Sequence, residues 1–300
     1  MTTLDKSNPE TAAPETATLA TPPAGRPWGL WLRQVQAIFR MEARKSFFGR
    51  RAVLLYLAAL LPLGIVAVFD IGMIFFEDGP DQPIAWATQE FYTGLYQGLI
   101  LRMVVFFGSV WVFMNLFRGE VMDKSLHYYF LTPVNRGVLV VGKFLSGLAA
   151  AVVLFGGATA LSYLLLYVPF GGEAVRTHLL GGPGLGQIAA YLGLTFLGCV
   201  GYGALFLLLG LIFKNPIIPA VVIFIWEGIH FLLPGFLKKL TVIHYLKPLS
   251  PVPFKEGPFA LPSDPPSAWV SIGGLLVFAA AAVILAVWKA RRMEVEYGDD

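Results

Sequence analysis

A single cysteine and very little charge set the first limits on this chain of 300 residues. One thiol, Cys199, excludes an intrachain disulfide and any site built from several thiolates. It falls in a glycine-rich apolar run, where packing is its expected role. Only 14% of the residues are Asp, Glu, Lys or Arg, against about one quarter in a soluble domain. A water-facing surface cannot be assembled from so little charge. Also missing is the alternation of apolar and polar positions that marks barrel strands. There is no Gly-x-Ser-x-Gly elbow, no pair of acids suited to hydrolysis and no cluster with metal-ligand spacing. Basic residues are not interleaved with aromatics in a nucleic-acid pattern, so no nucleic-acid partner is expected. No internal repeat of the kind that builds duplicated-half carriers is evident.

What remains is apolar sequence. Hydrophobic residues make up 56% of the chain, mean hydropathy is +0.68, and the apolar residues come in continuous blocks. The spacing predicts an all-α membrane protein with six spans: Ala52–Phe76, Thr93–Phe117, Val138–Phe170, Leu185–Phe213, Pro216–Leu233 and Ala268–Trp288. A helix needs about 20 residues to cross about 30 Å of hydrocarbon, and only the fifth block falls slightly short. Residues 1–25, rich in Thr, Ala, Pro and Glu, cannot bury a core and read as a disordered tail rather than a cleaved signal peptide. Residues 26–51 carry an apolar stripe (Trp31, Leu32, Val35, Ile38, Phe39) with Arg33, Gln36, Arg40 and Arg44 largely opposite, the pattern of an interfacial helix. Residues 52–292 form the six-span domain, and 293–300 a short tail.

Lys and Arg set the expected orientation. They crowd before the first span, between the second and third (Arg118, Lys124, Arg136, Lys143), at Lys214, and after the sixth (Lys289, Arg291, Arg292). That side is expected to be cytoplasmic, with both termini inside a cell membrane. The first outer loop is acidic (Glu77, Asp78, Asp81, Glu90). Gly235–Ser267 carries lysines on the outer side, and Phe236–Tyr245 is expected to dip into the interface with its lysines snorkelling outward.

The stretch Arg118–Lys143 is the only long polar interruption that also reads as an amphipathic helix. Val121, Met122, Ser125, Leu126, Tyr129 and Phe130 share one face; Glu120, Asp123, Lys124 and His127 share the other. Pro133 ends the segment. Such a helix in a tight loop can dock a soluble partner, or simply lie on the bilayer surface. The run Gly137-Val-Leu-Val-Val-Gly142-Lys143 matches most of a phosphate-binding loop, but Phe144 stands where a hydroxyl would hold magnesium, and the segment opens an apolar span. No nucleotide site is therefore expected on this chain.

Besides Lys143 near the start of the third, four ionisable residues interrupt the spans. Asp70 and Arg102 fall at similar depth in consecutive spans, where they can pair structurally, snorkel, or form part of an outer gate. Glu227 lies near the predicted midplane of the fifth span, with His230 close to the same face. Lining a substrate path and bonding a neighbouring helix are the two main readings for that acid. A protease site is a distant third, since Glu-x-x-His falls short of His-Glu-x-x-His.

A span ending in Arg118-Gly119-Glu120, an amphipathic helix, Leu131-Thr132-Pro133-x-x-Arg136, then Gly142-Lys143 in the next span resembles the permease subunits of type-2 ATP-binding-cassette (ABC) transporters. The likeness runs in span order from about Leu30 to Arg292. It implies an N-terminal elbow helix and a cytoplasmic coupling helix between spans two and three. Glu120, Asp123, Lys124, Leu126, His127 and Tyr129 would then dock on an ABC ATPase subunit, which holds the ATP and magnesium. A second permease copy, identical or related, would complete an export conduit in the lipid. The alternatives are a membrane-embedded enzyme using Glu227 and His230, or an ATP-independent channel or carrier.

Overall fold

The computed structural model describes residues 27–49, 52–75, 83–122, 135–213, 215, 217–253 and 266–292. Among them every regular element is helical. Helix α1 is Pro27–Phe48 and α2 is Ala52–Phe75. Helix α3 is Ile84–Phe117, its last α-helical segment running on as Phe106–Met122. Helix α4 is Arg136–Leu165, α5 is Gly172–Leu180 and α6 is Gly184–Ile212. Helix α7 is Ile217–Gly228, followed by the short α8 (Gly235–Lys238) and α9 (Val242–Leu246); α10 is Ala268–Arg291. Five of these, α2, α3, α4, α6 and α10, are long and apolar enough to cross a membrane.

Burial sorts them into layers. In α3 and α6, 61% of the most apolar stretch is buried, against 28% in α2 and α10. The centre is therefore α3, α4 and α6, while α2 and α10 turn large apolar side chains such as Leu57, Val68, Val277 and Ile284 outward. Exposed apolar side chains in such numbers suit hydrocarbon and not water.

Small residues let the central helices meet. A Cβ on Gly210 would lie 3.0 Å from the Met114 Cα, and one on Gly203 would lie 2.5 Å from the Phe113 ring. Close backbone approach of this kind is how membrane helices gain dispersion contacts. The Met114 backbone cannot swing aside as a side chain can. Gly210→Val is therefore expected to cost about 1–3 kcal/mol, seen as a lower unfolding midpoint in detergent.

Helices α3 and α4 are not uniformly α-helical. Ala87–Phe91, Tyr96–Val105 and Val152–Gly156 are π-helical, which adds a residue per turn and re-aims the side chains that follow.

The expected fifth span is shorter than its apolar run. Helix α7 has 12 residues, so it rises about 18 Å, well under a bilayer core. After Gly228 the chain tightens into a 3₁₀ turn, His230–Leu232, and Pro234 precedes α8. The expected outer helix over Phe236–Tyr245 is instead the pair α8 and α9. Its lysines divide: Lys239 is exposed, but Lys238 is buried, so it does not snorkel outward.

Candidate functional site

The polar loop between α3 and α4 has a firmly built root. Lys143, in the second turn of α4, is fully buried. Its Nζ donates to Glu42 Oε1 of α1 at 2.9 Å and to the Leu116 carbonyl of α3 at 3.0 Å. The ammonium also lies 5.3 Å from the centre of the Phe117 ring. Ser146 Oγ donates to the Phe39 carbonyl at 3.3 Å, a second tie from α4 to α1. Ile38 packs where a side chain on Gly142 would stand. One lysine thus joins three helices where the loop departs.

Burial alone would push the Glu42 carboxyl up. The Lys143 ammonium beside it, assisted by Lys45 at 3.4 Å, more than offsets this and holds the group below the usual carboxylate range.

A fourth helix is attached at the same end. Arg136 Nη1 donates to the Arg291 carbonyl at 3.0 Å and to the Ala290 carbonyl at 3.4 Å, capping α10. Asn135 begins α4, its Oδ1 accepting from the Gly137 amide at 2.9 Å. Of the docking residues, Glu120 falls within the last helical turns of α3. Asp123, Lys124, Leu126, His127 and Tyr129 lie outside the described residues.

A second polar centre surrounds Glu227. Its Oε1 accepts from the Val242 amide at 2.7 Å, and its Oε2 from the Ile243 amide and the Tyr202 hydroxyl, both at 3.1 Å. The carboxylate at the end of α7 therefore caps the start of α9, which explains why the chain folds back there. Beside it is a cavity of about 30 Å³, room for about one water, bounded by Arg102, Phe106, Phe224 and Gly228 among others. Arg102 is near enough for its charge to act on Glu227. His230 is buried, and its ring lies 6.0 Å from that of His244. Burial and the neighbouring lysines 239, 238 and 247 lower the His244 pKa.

Of the readings offered for Asp70 and Arg102, a direct pairing is not present among the described residues. Arg102 points to the Glu227 cavity, while both Asp70 oxygens are buried without a hydrogen-bond partner among the described residues. Similar depth on consecutive helices does not fix rotation about the helix axis, and the π-helical stretch Tyr96–Val105 carries Arg102 to another face.

A third centre escaped the sequence reading. Tyr92, Thr93 and Tyr96 of α3, Thr159, Ser162 and Tyr163 of α4, and Gln187, Tyr191 and Thr195 of α6 are buried together. Tyr92 donates to the Thr159 carbonyl at 2.8 Å, Thr93 bonds Tyr191 at 2.8 Å, and Tyr96 bonds Thr195 at 3.1 Å. Tyr163 donates to Gln187 Oε1 at 2.7 Å. Tyr167 extends the set to His178 Nδ1 of α5 at 3.0 Å, and burial lowers the pKa of that imidazole. The signal was present: these residues recur four apart within each apolar run. Polar side chains bonded across helices hold a bundle together where water is absent.

No family model and no curated protein matches the chain.

Proposed function

We propose that this chain is the membrane-spanning permease subunit of an ATP-driven exporter of the type-2 ABC class. ATP and magnesium sit on a separate ATPase subunit, and a second permease copy, identical or related, completes the conduit. The chain crosses the cell membrane six times, α7 and the turn after it taking the fifth place, with both termini in the cytoplasm. Helix α1 is the elbow helix. The polar loop is the coupling helix, with Glu120, Asp123, Lys124, Leu126, His127 and Tyr129 meeting the ATPase.

The observation that carries this reading is the Lys143 junction at the root of the loop. A partner pressing on residues 123–134 moves the ends of α3 and α4 between which they run. Through Glu42 and Arg136 the same displacement reaches α1 and α10. The buried three-helix tie lies between the two helices that flank that segment and α1. When the ATPase pair closes around ATP, it favours one packing of the helices over the other, and that differential contact couples nucleotide to transport.

The test is recovery of the ATPase with the tagged chain. The wild type is expected to retain it through purification, and Leu126→Asp with Tyr129→Asp to lose it while the permease stays folded. Retention by the double variant, or transport by the isolated chain without an ATPase, would overturn the proposal.

A further inference from the structure

At the end of the bundle where α10 finishes and α4 begins, three helices enclose an open groove of about 420 Å³. Leu32 and Val35 of α1 form one wall, Val138 and Val141 of α4 another, and Val287 of α10 the floor. The lining is almost wholly hydrocarbon. It is held open by ties already described: Arg136 to the end of α10, and the Glu42–Lys143 pair between α1 and α4.

A cationic side chain borders one end of the groove. Arg291 lines it, is exposed, and its guanidinium has no ion-pair or hydrogen-bond partner among the described residues. Its Nη2 lies at ordinary contact distance, 3.5 Å, from where a Cβ on Gly137 would stand, so the guanidinium sits beside the start of α4. Arg292 stacks at 3.9 Å over the Trp288 ring on the same turn, keeping a second cation beside it.

An apolar trough a few side chains long, bordered at one end by a guanidinium with no partner among the described residues, suits an amphiphile with an anionic head. A soluble anion would leave the trough bare, and a zwitterionic lipid would leave the arginine with less to bind. Five of the helices are long and apolar enough to lie in a bilayer, which places such amphiphiles beside the groove. We propose that this groove seats one acyl chain of an anionic phospholipid, with the headgroup phosphate on Arg291. A lipid there would fill the angle between α1 and the bundle and stiffen the junction through which the polar loop is attached. The inference does not depend on the chain being a transporter.

Native mass spectrometry of the full chain, released from detergent after exposure to defined lipids, tests it. Phosphatidylglycerol is expected to remain bound where phosphatidylcholine is stripped. Arg291→Ala should weaken phosphatidylglycerol retention about fivefold, the value of one interfacial cation, and weaken phosphatidylcholine retention by less. Arg291→Lys should restore most of it. Leu32→Asp, at an exposed position of the wall, should abolish retention without altering the unfolding midpoint. Equal retention of the two lipids, or an unchanged Arg291→Ala, would overturn the proposal. So would displacement of phosphatidylglycerol by equimolar inorganic phosphate, since that is the mark of a phosphate site and not of a lipid seat.

Discussion

Lys143→Met is expected to destabilise the protein by about 3–5 kcal/mol, the cost of breaking a buried pair from one side. The substitution removes the ammonium from Glu42 and from the Leu116 carbonyl at once. Glu42, only 4% exposed, is left with the outlying Lys45 as its counter-charge. Glu42→Gln with Lys143→Met replaces the pair by neutral groups of similar size and is expected to recover most of the loss, because neither charge is then stranded. Unfolding midpoints of the purified chain in detergent, over the four members of this cycle, read both effects.

The pH dependence supplies the sign. In the wild type the folded Glu42 carboxyl sits below its ordinary value of 4.5, so its contribution is complete above about pH 4.5. It is lost as pH falls through the depressed folded value. In Lys143→Met, burial dominates and the folded carboxyl is raised instead. Stability of that variant should increase as pH falls toward 5, opposite to the wild type. Parallel profiles for the two proteins would show that Glu42 and Lys143 do not act as a pair.

The same junction marks how far the sequence could be read. Long apolar runs dictate helices because lipid offers the backbone no alternative partner. Hence α2, α4, α6 and α10 lie where hydropathy puts them, to within about five residues, while α3 begins at Ile84, nine residues before the expected Thr93. The amphipathic stripe of α1 was equally plain. Glu42 was not, because a glutamate in a basic helix reads as surface charge until Lys143 is found opposite. Lys143 itself looked like a topology marker at a span edge. Its burial follows from where α1 packs, and that is tertiary information.

Asp70 and Arg102 show a different limit. Depth along a helix can be counted from sequence, but azimuth cannot once π-helical turns intervene, and azimuth decides who meets whom. The tyrosine network failed for a different reason: hydrophobicity scales count tyrosine with the apolar residues, so a polar seam inside α3, α4 and α6 vanished into the average. The four-residue spacing of Tyr92 with Tyr96 and of Thr159 with Tyr163 and Tyr167 was the visible trace. For α7, the apolar run of Pro216–Leu233 was long enough to suggest a span. The helix stops at Gly228, beside a carboxylate that bonds backbone fifteen residues further on, a pairing the apolar run does not reveal.

Removing that side chain should have the second large effect. Glu227→Ala leaves the amides of Val242 and Ile243 and the Tyr202 hydroxyl without their acceptor in a buried site. Each orphaned donor costs about 1–3 kcal/mol, and they share one site, so a loss of about 3–5 kcal/mol is expected. Glu227→Gln keeps one acceptor oxygen but turns an NH₂ toward groups that are themselves donors, and should lose a smaller part. Amide hydrogen exchange locates the damage: protection should fall over residues 229–246 before it falls in α3 or α6. Arg102→Gln provides the comparison. It changes the same cavity from an exposed position and should shift stability by less than about 0.5 kcal/mol. If Glu227→Gln melts like the wild type, keeps α9 protected and still alters transport, the carboxylate serves the transported molecule and not the fold. If stability and protection fall together, while Arg102→Gln leaves both intact, Glu227 is the clasp that folds α9 back onto α7.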